Sequence, residues 1–125
     1  MDARLDAAGF LDSWPEPVHV VRNAGGRVTA DTLRSLAVSC TMGAERVAVV
    51  HHTGCAMAEH TDEEIRELLP PGADPKMDFL TIADPHEALE QDVSAIRASA
   101  LIPPGIEVSA FVYDLDARVA REIQV

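Results

Sequence analysis

The chain has 125 residues, with 21 acidic side chains against 10 basic ones and a formal net charge of −11. That length suits one domain, 1–125, around one core, and a hydrophobic share of 47% argues against wholesale disorder. A surface so acidic repels phosphate backbones and anionic lipid, which excludes nucleic acid and membrane surfaces as partners.

Leu5 to Leu11 reads as a short helix, ended by Ser13 and the Pro15-Glu16-Pro17 breaker. Val18-His19-Val20-Val21-Arg22 is a β-branched run and predicts a strand, after which Asn23-Ala24-Gly25-Gly26 turns the chain. Thr29 can cap a helix whose apolar positions Leu33, Leu36, Ala37 and Cys40 follow i, i+3, i+4, i+7 spacing, and Gly43 closes it. Val47-Ala48-Val49-Val50 predicts a strand buried on both faces that runs straight into His51 and His52.

Thr61-Asp62-Glu63-Glu64 is a capping box that opens a helix through Leu69, and Pro70 to Pro75 is a loop. Met77 to Ala83 carries no clear pattern. Asp84-Pro85-His86-Glu87 is a second capping box, opening the longest helix with Leu89, Val93, Ile96 and Ala100 on one face. Ile106 to Tyr113 alternates as a strand does, and Val119 to Ile123 predicts a last short one. Strands alternating with helices imply an α/β fold: an open, mostly parallel sheet flanked by helices, with room for one antiparallel edge strand.

Met1 is followed at once by Asp2, Arg4 and Asp6, unlike a secretory signal, so the expected compartment is a reducing cytoplasm. A cysteine there serves as a ligand or a core residue. In open α/β sheets ligands bind beyond the carboxyl ends of the strands, where this sequence places His52-Thr53-Gly54-Cys55. An imidazole and a thiolate three residues apart across a glycine turn can converge on one tetrahedral metal, and zinc suits such mixed donors. Zinc nevertheless takes at least three protein ligands, so an isolated His-x-x-Cys pair is often incidental.

The segment from Met1 to Met57 resembles the β-class carbonic anhydrases. Asp2 and Arg4 match the end of that family's Cys-x-Asp-x-Arg motif, Arg22-Asn23-Ala24-Gly25-Gly26 its Arg-Asn-Ala-Gly loop, and His52-Thr53-Gly54-Cys55 its His-x-x-Cys motif. The resemblance implies Zn²⁺ on His52 and Cys55, and an Asp2–Arg4 dyad beside it. It also implies reversible hydration of CO₂ to bicarbonate and a homodimer or higher assembly. The family's first cysteine and the strand before it fall ahead of Met1, so an N-terminally truncated form of the fold is expected, with Met1 an internal methionine of a longer product. Two alternatives stay open: a carbonyl sulfide or carbon disulfide hydrolase on the same scaffold, and a non-catalytic remnant that only pairs with a full-length relative.

The remaining chemistry-bearing residues have simpler readings. Cys40 belongs to an apolar helix face, and His51 should point away from His52 because neighbouring strand residues face opposite sides. His19, His60 and His86 suit solvated positions, and Glu59 to Glu67 a solvated helix face.

Overall fold

The aliphatic runs pair into a three-stranded sheet in the computed structural model, which describes residues 1–5, 17–72 and 76–125. β1 (Arg46–His52) lies parallel to β2 (Glu107–Asp114), and β3 (Val119–Ile123) closes the far edge antiparallel to β2. α1 (Ala30–Thr41) precedes β1; α2 (Ala56–Glu59), α3 (Asp62–Glu67) and α4 (Pro85–Ala98) lie between β1 and β2. This is the mixed, mostly parallel α/β sheet expected from the alternation of strands and helices. Among the described residues no helix is long and apolar enough to cross a membrane.

Local signals fix where the helices start. Thr29 accepts from the Thr32 N–H at the head of α1, and Thr61 and Glu64 complete both halves of a capping box on α3. Asp84 accepts from the His86 and Glu87 N–H groups at the head of α4. There the second half of the predicted box is replaced: the Glu87 carboxylate accepts from the Gln91 side chain one turn on. The helix ends are less faithful to the pattern. α3 stops at Glu67 rather than Leu69, and α4 stops at Ala98, which leaves Ala100 exposed beyond it.

The core forms where α4 lies on the sheet. Leu89, Val93 and Ile96 are fully buried in one cluster with Val49, Val108 and Ala110, of which Val49 and Ala110 are paired across the parallel strands. Each such aliphatic side chain contributes about 1.5–3 kcal/mol of burial. Residues 77–83 form no regular element, yet Asp62 holds them: its carboxylate accepts from the Phe79 and Thr81 N–H groups and from the Thr81 hydroxyl.

Two expectations are corrected. Val18–Arg22 forms no strand and pairs with no other segment among the described residues, and Val18, Val20 and Val21 are exposed. A β-branched run becomes a strand only when a neighbouring edge bonds to it, and β1, the nearest candidate, is bonded to β2 alone. For the same reason β1 is not buried on both faces: Val49 and His51 are buried, but Ala48 is exposed and Val47 and Val50 are half-buried. The predicted helix from Leu5 to Leu11 lies, beyond Leu5, outside the described residues.

Candidate active site

The end of β1 divides two histidines between two environments. His51 turns inward, where its Nε2 lies 3.1 Å from the Asp92 carboxylate. Asp92 also accepts from Arg27 Nε at 2.8 Å and from the Val28 N–H at 2.9 Å. Arg27 reaches further, to the Leu80 carbonyl and the Gln91 side chain. All three of Arg27, His51 and Asp92 are buried. Burial pushes the Asp92 carboxyl up, but the bonds from His51 and Val28 and the charge of Arg27 outweigh it and leave it below its ordinary value. Asp92 therefore ties together β1, α4 and the chain that follows the glycine turn.

His52 faces the other way, with a side chain only 7% exposed. Its Nδ1 lies 2.9 Å from the Thr53 carbonyl. A carbonyl only accepts, so Nδ1 carries the hydrogen, and in the neutral form of the ring the lone pair stands at Nε2. A metal-ligating histidine is commonly held by this kind of bond on its other nitrogen. The ladder then extends one residue, Thr53 N–H to the Tyr113 carbonyl, before Gly54 turns the chain at φ +60° and Cys55 enters buried.

Asp2 and Arg4 close over this turn. Arg4 donates from Nε and Nη2 to the two Asp2 carboxylate oxygens at 3.0 and 2.6 Å, a bidentate pair, and from its backbone N–H at 2.8 Å. Its Nη2 also donates to the Gly54 carbonyl. The Arg4 side chain, and then the Arg4 backbone bond, hold the Asp2 carboxyl far below the usual carboxylate range. Asp2 is thus ionised at any ordinary pH and acts only as an acceptor. One of its oxygens lies 3.9 Å from His52 Nε2. Cys55 is within electrostatic reach of Arg4 and of the Met1 ammonium.

The glycine loop fastens the first residues to this corner. The Met1 ammonium donates to the Asn23 carbonyl, and Arg22 donates to the Asp2 carbonyl. Gly26, at φ +70°, presses so closely on β1 that a Cβ there would stand 2.8 Å from the Val50 carbonyl oxygen. Close backbone approach is the reason for glycine here.

All four residues singled out in the sequence, Asp2, Arg4, His52 and Cys55, thus gather at the carboxyl end of β1. As a zinc site the set is short. His52 and Cys55 supply one nitrogen and one sulfur, the Asp2 oxygens are taken by Arg4, and no group of three possible ligands occurs among the described residues. The buried Arg27–Asp92–His51 network was missed in part, since neither Arg27 nor Asp92 was singled out. One signal was available: Asp92 interrupts the apolar stripe Leu89, Val93, Ile96, where a lone acid needs a buried partner.

No protein-family model matches the chain. Among characterised proteins, it is 31% identical over 126 residues to β-carbonic anhydrase 1 of Mycobacterium tuberculosis, covering 98% of this chain and 77% of that protein. It is 28% identical over 149 residues to a carbon disulfide hydrolase of Acidianus, covering 98% and 73%. The solved structure of a carbonic anhydrase from Streptococcus mutans superposes with a TM-score of 0.87 at 37% identity, over 99% of this chain and 77% of that one. A carbonic anhydrase from Glaciozyma antarctica gives 0.84 at 30% identity, over 99% and 78%.

Proposed function

The chain belongs to the β-carbonic anhydrase family, and on that premise we propose that it interconverts carbon dioxide and bicarbonate where Asp2, Arg4, His52 and Cys55 meet. The observation that carries this reading is the bidentate Arg4–Asp2 pair set beside Nε2 of His52. His52 and Cys55 are the residues we assign as zinc donors; a complete zinc site takes at least one more than the described residues offer.

The side chains' own part follows from their protonation. Hydration joins a water oxygen to the carbon of CO₂ and releases one proton, giving bicarbonate. Asp2 accepts a hydrogen bond from the attacking water and so turns a lone pair of that water toward the carbon. Arg4 keeps the carboxylate charged and fixed by two parallel bonds. Asp2 is too weak a base to keep the released proton, which passes to solvent or buffer.

Similarity to carbon disulfide hydrolases supports a second reading, hydrolysis of carbon disulfide or carbonyl sulfide at the same corner. An assembly of two or more like chains and a cytoplasmic location belong to the proposal, to be checked by sedimentation and by fractionation. The deciding assay takes the protein as its natural host makes it and compares CO₂, carbonyl sulfide and carbon disulfide side by side. Faster turnover of CO₂ supports carbonic anhydrase activity; preference for a sulfur substrate selects the second reading. Acceleration of none would leave a non-catalytic remnant.

A further inference from the structure

The buried Arg27 guanidinium donates in three directions. Nε bonds Asp92 and Nη2 bonds the Gln91 side chain, both on α4, while Nη1 bonds the Leu80 carbonyl in the irregular segment 77–83. Neutralising Asp92 requires only the first of these. Leu80 has φ +55°, a conformation that a leucine keeps only where its surroundings impose it. Those surroundings are the Arg27 bond to its carbonyl, the Asp78 carboxylate on its own N–H, and Asp62, which accepts from Phe79 and Thr81 on either side.

Both sides of the candidate site lean on Arg27. On one side, the Ile82 N–H donates to the Met57 carbonyl at 2.6 Å, so segment 77–83 backs α2, which starts directly after Cys55. On the other side, the Arg27 carbonyl accepts from Asn23 Nδ2 at 2.7 Å and from the Thr32 hydroxyl, which shapes the glycine turn. Arg22, just before that turn, donates to the Asp2 carbonyl. The two sides meet at Gly25, which has φ +70°: a Cβ there would stand 3.2 Å from Arg27 Cγ and 3.3 Å from Met57 Cβ. The stem of Arg27 therefore runs against the glycine turn, beside Met57.

We propose that Arg27 is a positioning residue for the reaction. Its bonds to Asp92 and Leu80 keep the Cys55 side of the site, through segment 77–83 and Met57, in register with the Asp2 side, through the glycine turn. Arg27 touches neither substrate nor reacting atoms, and the proposal rests on the CO₂ chemistry inferred above for what it positions. A planar guanidinium serves all three directions from one fixed fork, whereas a lysine ammonium is a point charge without that fork.

Arg27→Lys is therefore the test variant, because it keeps a charge beside Asp92 where Arg27→Ala would strand a buried carboxylate. Amide hydrogen exchange by NMR compares Ile82 and Ala58, whose N–H groups bond the Met57 and Cys55 carbonyls, with Val93 and Ile96 inside α4. In the variant, Ile82 and Ala58 exchange at least about tenfold faster, while Val93 and Ile96 change by less than about threefold. In CO₂ hydration, kcat falls at least about fivefold with KM within about twofold of the parent. Val108→Ala, which opens the core at the opposite end of β2, is the control: it speeds Val93 and Ile96 without singling out Ile82 and Ala58. Exchange at Ile82 and Ala58 equal in Arg27→Lys and parent, or raised no more than at Val93 and Ile96, would overturn the proposal. A parent that hydrates no CO₂ overturns the reaction proposed above instead, and the exchange pattern decides the link by itself.

Discussion

Replacing Asp92 by alanine removes the hub of the buried network and leaves Arg27 charged in the interior. Asp92 accepts three hydrogen bonds, and the side chains of Asp92 and Arg27 are 4% and 7% exposed. Breaking a buried ion pair from one side costs about 3–5 kcal/mol, a large part of the about 5–15 kcal/mol that holds a domain folded. Urea unfolding followed by far-UV circular dichroism at neutral pH measures the loss. The pH matters because the folded Asp92 carboxyl lies below its unfolded value. Its contribution is complete above the unfolded value and is lost as pH falls through the folded one, so neutral pH captures all of it. A second variant separates charge from packing: Arg27→Met on the Asp92→Ala background removes the stranded guanidinium and recovers part of the loss. An Asp92→Ala protein within about 1 kcal/mol of the parent, or a double variant weaker than the single one, would refute the reasoning.

Gly26→Ala sets a Cβ 2.8 Å from the Val50 carbonyl at φ +70°, and the same unfolding assay should show a loss of about 1–3 kcal/mol. Thr61→Ala removes the hydroxyl half of the α3 capping box and should cost about 1 kcal/mol, with loss of protection of the Glu64 amide in hydrogen exchange. Arg4→Lys cannot reproduce the bidentate pair or the bond to the Gly54 carbonyl. CO₂ hydration should fall about tenfold to a hundredfold while the circular dichroism spectrum stays unchanged.

Features set by neighbours in sequence were legible. The heads of α1, α3 and α4 were readable because a threonine or aspartate reaches backbone N–H groups two or three residues on. β2 and β3 were readable from alternation and turn residues, and His52 and Cys55 from their place at the end of a β-branched run. Features set across the fold were not. Val18–Arg22 has the residues of a strand, but pairing is a property of two segments, and nothing local reports whether a second lies beside it. Arg27 meets Asp92 across 65 positions, a contact that no periodicity announces. His51 was expected to turn from the site, as it does, but its partner is on a helix some forty residues away.

The most direct test of the account is ¹⁸O exchange between labelled CO₂ and water, catalysed by the protein from its natural host and by its Asp2→Asn variant. The account predicts exchange at neutral pH proportional to the amount of parent protein, and exchange at least about tenfold slower in an Asp2→Asn protein that remains folded. Exchange by the parent no faster than buffer, or equal in parent and variant, would contradict it.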